Sequence, residues 1–327
     1  IQGGIQTVGY LILRCKVEAV FPALQKALDI FTGSTAANHE LSAVADGCIR
    51  KCTMAKVSII MGIYNCAATL PEAIDSILAQ TFPDWQLVLC DDGSKDNTYA
   101  VAKAYQERIP DKIILLQNEQ NMGLNHTLNR CLQAATGEYV ARMDGDDVSL
   151  PSRLEKEVAF LDAHPEYAIV STPMIFFDES GDWGRSYAIK EPTKRDFIKH
   201  SPVHCHAPCM IRREAYLAVG GYTEDKRMLR FEDVNLWYKL YAKGYTGYNL
   251  DEPLYKMRDD HAAANRRSLK SRMNGVYVTY VGFKLFRFPW YMYGYVVMDF
   301  LKHFIKGIMP EWLYLKLHRI SAKKVVS

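Results

Sequence analysis

The stretch VSIIMGIYNCAATLPEAIDSILAQTFPDWQLVLCDDGS, residues 57–94, decides the fold class. Its first seven residues are almost continuously apolar, the pattern of a strand covered on both faces. Thr69-Leu70-Pro71-Glu72 has the form of a capping box with an early proline. It opens a helix that turns Ile74, Ile77 and Leu78 inward. Gln86–Cys90 reads as a second strand, and an acidic turn follows it at once. The alternation continues outward. Asp96 is placed to cap a helix through Glu107, Ile113–Leu116 is a third strand, a helix covers about Leu124 to Ala135, and Tyr139–Met143 is a fourth strand. This spacing predicts an α/β fold with a doubly wound, mostly parallel sheet and flanking helices. Residues 151–260 are more mixed: a helix at Arg153–Ala163, strands near Ala168–Thr172 and Pro208–Ile211, and an amphipathic helix from Glu232 to Ala242.

The chain has 327 residues, enough for one large domain with appendages. Its net charge of +3 is unevenly distributed. Residues 254–327 hold 14 Lys/Arg against 4 Asp/Glu, which leaves 26 against 33 for the rest. A basic end on a mildly acidic body points to an anionic surface as its neighbour. Eight scattered cysteines do not form a disulfide scaffold, and the expected compartment is reducing. The apolar stretch at 8–13 lacks the features of a signal peptide, and no run reaches the length of a spanning helix. The expectation is a soluble or peripheral protein.

Two acidic clusters follow strand ends: Asp91-Asp92-Gly93-Ser94 and Asp144-Gly145-Asp146-Asp147. In open α/β sheets ligands bind beyond the carboxyl ends of the strands, so separate strands can bring both clusters to one crevice. Two carboxylates two positions apart on a tight turn can share a divalent cation with a diphosphate, and Mg2+ or Mn2+ favours such oxygen ligands. A D-x-D also occurs by chance in surface loops; its place directly after a buried strand raises its significance. The first cluster can cap the next helix, accept hydrogen bonds from a nucleobase or ribose, or do both. Glu232-Asp233 reads either as a helix N-terminal pair or as a base with an orienting neighbour. His204-Cys205-His206 with Cys209 resembles a zinc set, but it runs into a strand whose alternate side chains diverge. His206 is better placed in the lining of a pocket than on a metal.

Over about Lys56–Arg267 the chain resembles the family-2 glycosyltransferases of GT-A fold. The matching stretches are SIIMGIYN (58–65), LCDDGSKDNT (89–98), NMGLNHTLN (121–129), GEYVARMDGDD (137–147), HAPCMIRREAYLAVGGY (206–222) and FEDVNLWYKLYAKGY (231–245). MRDDHAAANRR (257–267) resembles the variant found in bacterial surface-polysaccharide enzymes. The resemblance implies an inverting, metal-dependent transfer of a sugar from a nucleotide diphosphate donor, a UDP-sugar by preference, to the hydroxyl of a glycan or lipid-linked glycan. It implies that Ile63 and Tyr64 flank the base, and that Asp91 or Asp92 binds base or ribose, with Asp91 favoured. Asp144 would contact the ribose or the metal shell and Asp146 would ligate Mn2+ or Mg2+, with His261 completing the site. Asp233 would be the general base beside Glu232, and His206 would line the acceptor pocket. Some relatives carry an Arg where this chain has Leu128, so that donor contact is absent or supplied elsewhere.

The implied organisation is an extension at 1–53, a catalytic domain at 54–268, and a basic, aromatic helical tail at 269–327. Aromatic residues interleaved with Lys and Arg in the tail suit helices lying on an anionic membrane surface. The expected location is cytoplasmic, on the inner face of a bacterial membrane, and no nucleic-acid module is apparent. The rival readings are a non-catalytic sugar-nucleotide-binding module and a sugar nucleotidyltransferase. The second is disfavoured because GIYNCAATL replaces a Gly-rich, Arg-containing loop. A dehydrogenase lacks its G-x-G-x-x-G and a P-loop ATPase its G-K-[S/T].

Overall fold

A computed structural model describes residues 55–198, 202–259 and 269–308. The chain divides between Met54 and Ala55, and all described residues belong to the second unit. The extension at 1–53, His261 and residues 309–327 of the tail lie outside the described residues.

The first half alternates strand and helix: β1 (Val57–Ile63), α1 (Leu70–Leu78), β2 (Trp85–Asp91), α2 (Thr98–Arg108), β3 (Ile113–Gln117), α3 (Leu124–Ala134) and β4 (Tyr139–Arg142). Then follow β5 (Val148–Ser149), α4 (Arg153–Ala163), β6 (Ile169–Ser171), β7 (Met174–Asp178), β8 (Gly181–Arg185), β9 (Met210–Arg212) and α5 (Arg213–Ala218). The last elements are α6 (Glu232–Ala242), β10 (Gly247–Asn249), β11 (Tyr255–Arg258), α7 (Leu269–Leu285) and α8 (Gly294–Ile308). The main sheet has seven strands in the order β10-β6-β9-β4-β1-β2-β3. Only β9 runs against its neighbours, so the sheet is mostly parallel as the sequence predicts.

Side chains of β1 alternate between two core layers. Val57, Ile59, Met61 and Ile63 join α1 and α4 on one face, and Ile60 joins the layer of α3 and α6 on the other. Gly62 lies on that second face, where an added Cβ would meet Leu124 and Thr127 of α3 at 3.1 and 3.2 Å. Val278 and Phe283 of α7 are buried in the same layer as Leu236, Trp237 and Leu240 of α6.

Two local expectations change. Thr69 precedes α1, but its side chain makes no cap hydrogen bond. Its Oγ1 instead donates to the Gly145 carbonyl at 3.0 Å, tying the turn after β1 to the acidic turn after β4. A four-stranded sheet, β5-β11-β7-β8, also stands beside the main one without a counterpart in the sequence reading.

Candidate active site

Parallel register places Ile63, the end of β1, opposite Asp91, the end of β2. The loops beyond them are joined: Asn65 N donates to Ser94 Oγ at 3.0 Å, Lys95 N to Asn65 Oδ1 at 2.8 Å, and Cys66 N to Thr98 Oγ1 at 2.8 Å. Ile63 is a core residue, 1% exposed, and its carbonyl accepts from Asp92 N. Its side chain packs in the core layer that holds α1 and α4. Tyr64, the next residue, is 44% exposed and is free of the core.

The adjacent carboxylates differ. Asp92 accepts from Asn118 Nδ2 at 2.7 Å, Met122 N at 2.8 Å and Gly123 N at 2.9 Å, which fixes the loop leading into α3. Asp91 accepts only at Oδ2, from Ser94 N at 3.3 Å and Gln117 Nε2 at 3.4 Å; its buried Oδ1 has no hydrogen bond. A buried carboxylate oxygen without a partner is costly unless a ligand supplies a donor.

After β4 the chain turns and presents Asp144, Asp146 and Asp147, whose carboxylate oxygens lie within 4.8 Å of one another. Arg142 grips Asp144 with both guanidinium nitrogens. Asp147 is buried: it accepts from Tyr255 Oη at 2.9 Å and from Arg258 N at 2.8 Å, both on β11. Burial, then the charges of Asp144 and Asp146, push its carboxyl well above the usual range. Arg258 also donates from Nε to the Asp146 carbonyl at 3.1 Å and pairs with Glu72 at 2.6 Å. β11 thus holds the acidic turn, a role for Asp147, Tyr255 and Arg258 that the sequence reading missed. Three close oxygen donors of one charge fit Mg2+ or Mn2+, since a cation would offset their mutual repulsion.

A cavity of about 330 Å³ joins this turn to α6; Arg142, Asp144, Cys205, His206 and Asp233 are among its lining residues. Burial raises the Asp233 carboxyl to about 6. Burial and the Asp233 charge raise Glu232 to about 7, and its Oε2 has no hydrogen bond. The His206 ring shares a hydrogen bond with Tyr222 Oη at 2.8 Å. Burial, aided by the Arg142 charge, lowers its pKa well below the usual value, so the ring is neutral. His204 also borders the cavity, but its two ring nitrogens are engaged by Asn249 Oδ1 at 2.8 Å and Tyr241 Oη at 2.9 Å. Leu128 is fully buried and Asn129 clamps the Tyr222 backbone, so neither faces the cavity.

A model of glycosyl transferase family 2 matches residues 58–220. EpsE of Bacillus subtilis, whose name describes a glycosyltransferase, is 42% identical over 264 residues, covering 81% of this chain and 93% of EpsE. The amylovoran biosynthesis glycosyltransferase AmsE of Erwinia amylovora is 30% identical over 222 residues, covering 64% and 79%. The mannosyltransferase PcManGT of Pyrobaculum calidifontis, solved in complex with GDP-Man and Mn2+, shares the fold with a TM-score of 0.54. The match has 19% identity and covers 90% of this chain and 91% of that one.

Proposed function

The chain belongs to glycosyl transferase family 2, and from that premise we propose that it is an inverting, metal-dependent hexosyltransferase of surface-polysaccharide synthesis. The observation that carries this reading is that one cavity borders both Asp144 of the acidic turn and Asp233 of α6. The donor is a nucleotide diphosphate sugar, a UDP-sugar by preference. Asp91 accepts hydrogen bonds from its base or ribose through the unpartnered oxygen, and Tyr64 flanks the base. Asp144 and Asp146 would hold Mn2+ or Mg2+, with Asp147 buttressing the turn. Bound there, the cation supplies neutralisation of the charge that grows on the departing diphosphate.

The acceptor hydroxyl enters beside neutral His206 and attacks the anomeric carbon. A new C–O bond forms, the bond to the diphosphate breaks, and the hydroxyl proton passes to Asp233. One displacement inverts the anomeric configuration. The acceptor is a glycan or lipid-linked glycan, and the enzyme works at the cytoplasmic face of a bacterial membrane. Among the described residues no helix is long and apolar enough to cross a membrane. The exposed apolar side of α8 supports peripheral attachment.

The test is nucleotide release and transfer from a panel of UDP- and GDP-sugars, with Mn2+ and then with EDTA, followed by NMR of the product. Transfer that stops in EDTA and gives an inverted product is expected. Full activity in EDTA, a retained configuration, or turnover by Asp233→Asn within a factor of about two of wild type would refute it, because general-base loss costs about 10²-fold or more.

A further inference from the structure

Arg142 is the last residue of β4, and its place in the strand decides where its charge goes. Val140 belongs to the core layer of α3 and α6, while Tyr139 and Ala141 belong to the opposite one, so alternation turns Arg142 toward α6. The backbone is pinned here: Arg142 N donates to the Cys209 carbonyl at 2.9 Å, and Arg153 Nη2 donates to the Arg142 carbonyl at 2.9 Å. The side chain is 5% exposed, and a buried cation is costly unless carboxylates face it. Its two terminal nitrogens hold Asp144, but its Nε has no hydrogen bond. On α6, the buried Glu232 Oε2 has none either. Arg142 and Asp233 line the same cavity, and the guanidinium charge acts on both Glu232 and Asp233.

We infer that Arg142 is a positioning residue of the transfer, one buried guanidinium that fixes Asp144 in the acidic turn and serves as counter-charge to the Glu232–Asp233 pair. This rests on the proposed roles of Asp144 and Asp233. Other titratable groups face the pair, but none replaces that charge. Burial pushes the Cys205 thiol up to about 11, the Tyr222 hydroxyl well above its usual range and the His206 ring well below, so all three are neutral. A second cavity separates the start of α6 from α7 and α8, and Asp299 in its lining is engaged by Thr279 Oγ1 at 2.9 Å and His303 at 3.6 Å. Arg230 and Lys302 also line it, but both are exposed, where water screens a charge that the interior would not.

Two substitutions in the full chain separate charge from grip. Arg142→Gln removes the charge; Arg142→Lys keeps it but cannot hold both oxygens of Asp144 in one plane. Carboxyl 13C NMR follows the pair, with Asp233→Asn and Glu232→Gln assigning its signals; the midpoints belong to the pair rather than to either residue. Calorimetric titration with UDP in Mn2+ follows the acidic turn. Arg142→Gln is expected to raise the midpoints of the pair by about one pH unit or more, the scale of losing an opposite charge. Arg142→Lys should leave them near wild type and bind UDP about tenfold more weakly, the effect of losing one charge-assisted hydrogen bond. Midpoints unmoved by Arg142→Gln, midpoints raised by Arg142→Lys, or undiminished UDP binding by Arg142→Lys overturns the inference. Arg142→Lys supplies both readouts by itself should the neutral variant not fold. Neither measurement uses turnover, so an Asp233→Asn enzyme that still transfers sugar would refute the base while the counter-charge is decided by its own titration.

Discussion

Asp92 engages both carboxylate oxygens with three donors, whereas one oxygen of its neighbour Asp91 is buried without a hydrogen bond. The order of these residues after an apolar strand is legible in the sequence; which of them is spare is not, because it depends on Asn118, Met122 and Gly123 returning from β3. Asp92→Ala is expected to lower stability by about 3 kcal/mol, since it leaves buried donors unpaired. Asp91→Ala should melt near wild type and bind nucleoside diphosphate about tenfold more weakly. Differential scanning fluorimetry with a nucleotide titration separates the two, and equal melting losses would erase the distinction. Arg142 carried a signal that the sequence reading did not use, a charged residue inside the apolar run YVARM; its bidentate grip on Asp144 comes from the turn geometry. The raised carboxyls of Asp233 and Glu232 also belong to this scale, since no sequence pattern reports burial. A base must be unprotonated, so kcat/KM should rise with pH through about 6 to 7, the range of the two values. The sign for stability is the reverse of a salt-bridged carboxylate. The folded pair holds its protons more tightly than the unfolded chain, so its contribution to stability falls as pH rises from about 4 to 7. A flat activity profile between pH 5 and 8 would contradict the assignment.

Strands and helices of the first half were readable because each is long enough to show its period: seven residues in β1, eleven in α3. The second sheet was not, because β5 has two residues and β8, GDWGR, carries two glycines and two charges in five positions. Its β11 nevertheless supplies Tyr255 and Arg258 to the acidic turn. The capping box failed for a related reason: the Thr69 hydroxyl serves the distant Gly145 carbonyl instead of its own helix. Helix α7 shows how an element with weak periodicity can still be fixed in place. A Cβ on Gly282 would lie 2.4 Å from ring atoms of Tyr238, and one on Gly275 2.6 Å from Phe231, the residue before Glu232. These positions, seven apart, let α7 approach α6 closely. Gly282→Ala is therefore expected to destabilise by about 1–3 kcal/mol, the scale of overpacking, despite alanine's better helix propensity. Thermal melting checks the sign. An unchanged or higher midpoint would show that the helix pair can shift apart without loss.

At the scale of the molecule, the described part of the basic, aromatic tail behaves in two ways. Phe283 and Phe286 are buried, and Phe286 packs against Phe197 and Tyr238, so this part of the tail is core. Trp290 is 85% exposed, and Val297, Met298, Leu301, Phe304 and Ile305 form one open stripe on α8. Aromatic content alone could not divide these groups, because the division depends on which side of α7 and α8 meets α6. An apolar stripe on a helix that also carries Lys302 suits the interface of an anionic bilayer, with the stripe in the acyl boundary and the cation at the headgroups. Each basic residue near the surface contributes about 1 kcal/mol, and salt screens that part over about 10 Å at 0.1 M. Burial of the stripe is not screened. Wild type should therefore pellet with vesicles containing phosphatidylglycerol, less with pure phosphatidylcholine, and should keep part of its binding in high salt. The double variant Leu301→Ser/Phe304→Ser should lose that salt-resistant part while still hydrolysing donor, since neither side chain borders the cavity beside the acidic turn. Sedimentation at low and high salt decides the matter: equal pelleting of variant and wild type, or no pelleting of wild type on anionic vesicles, would remove the membrane from the account and leave the stripe without its proposed partner.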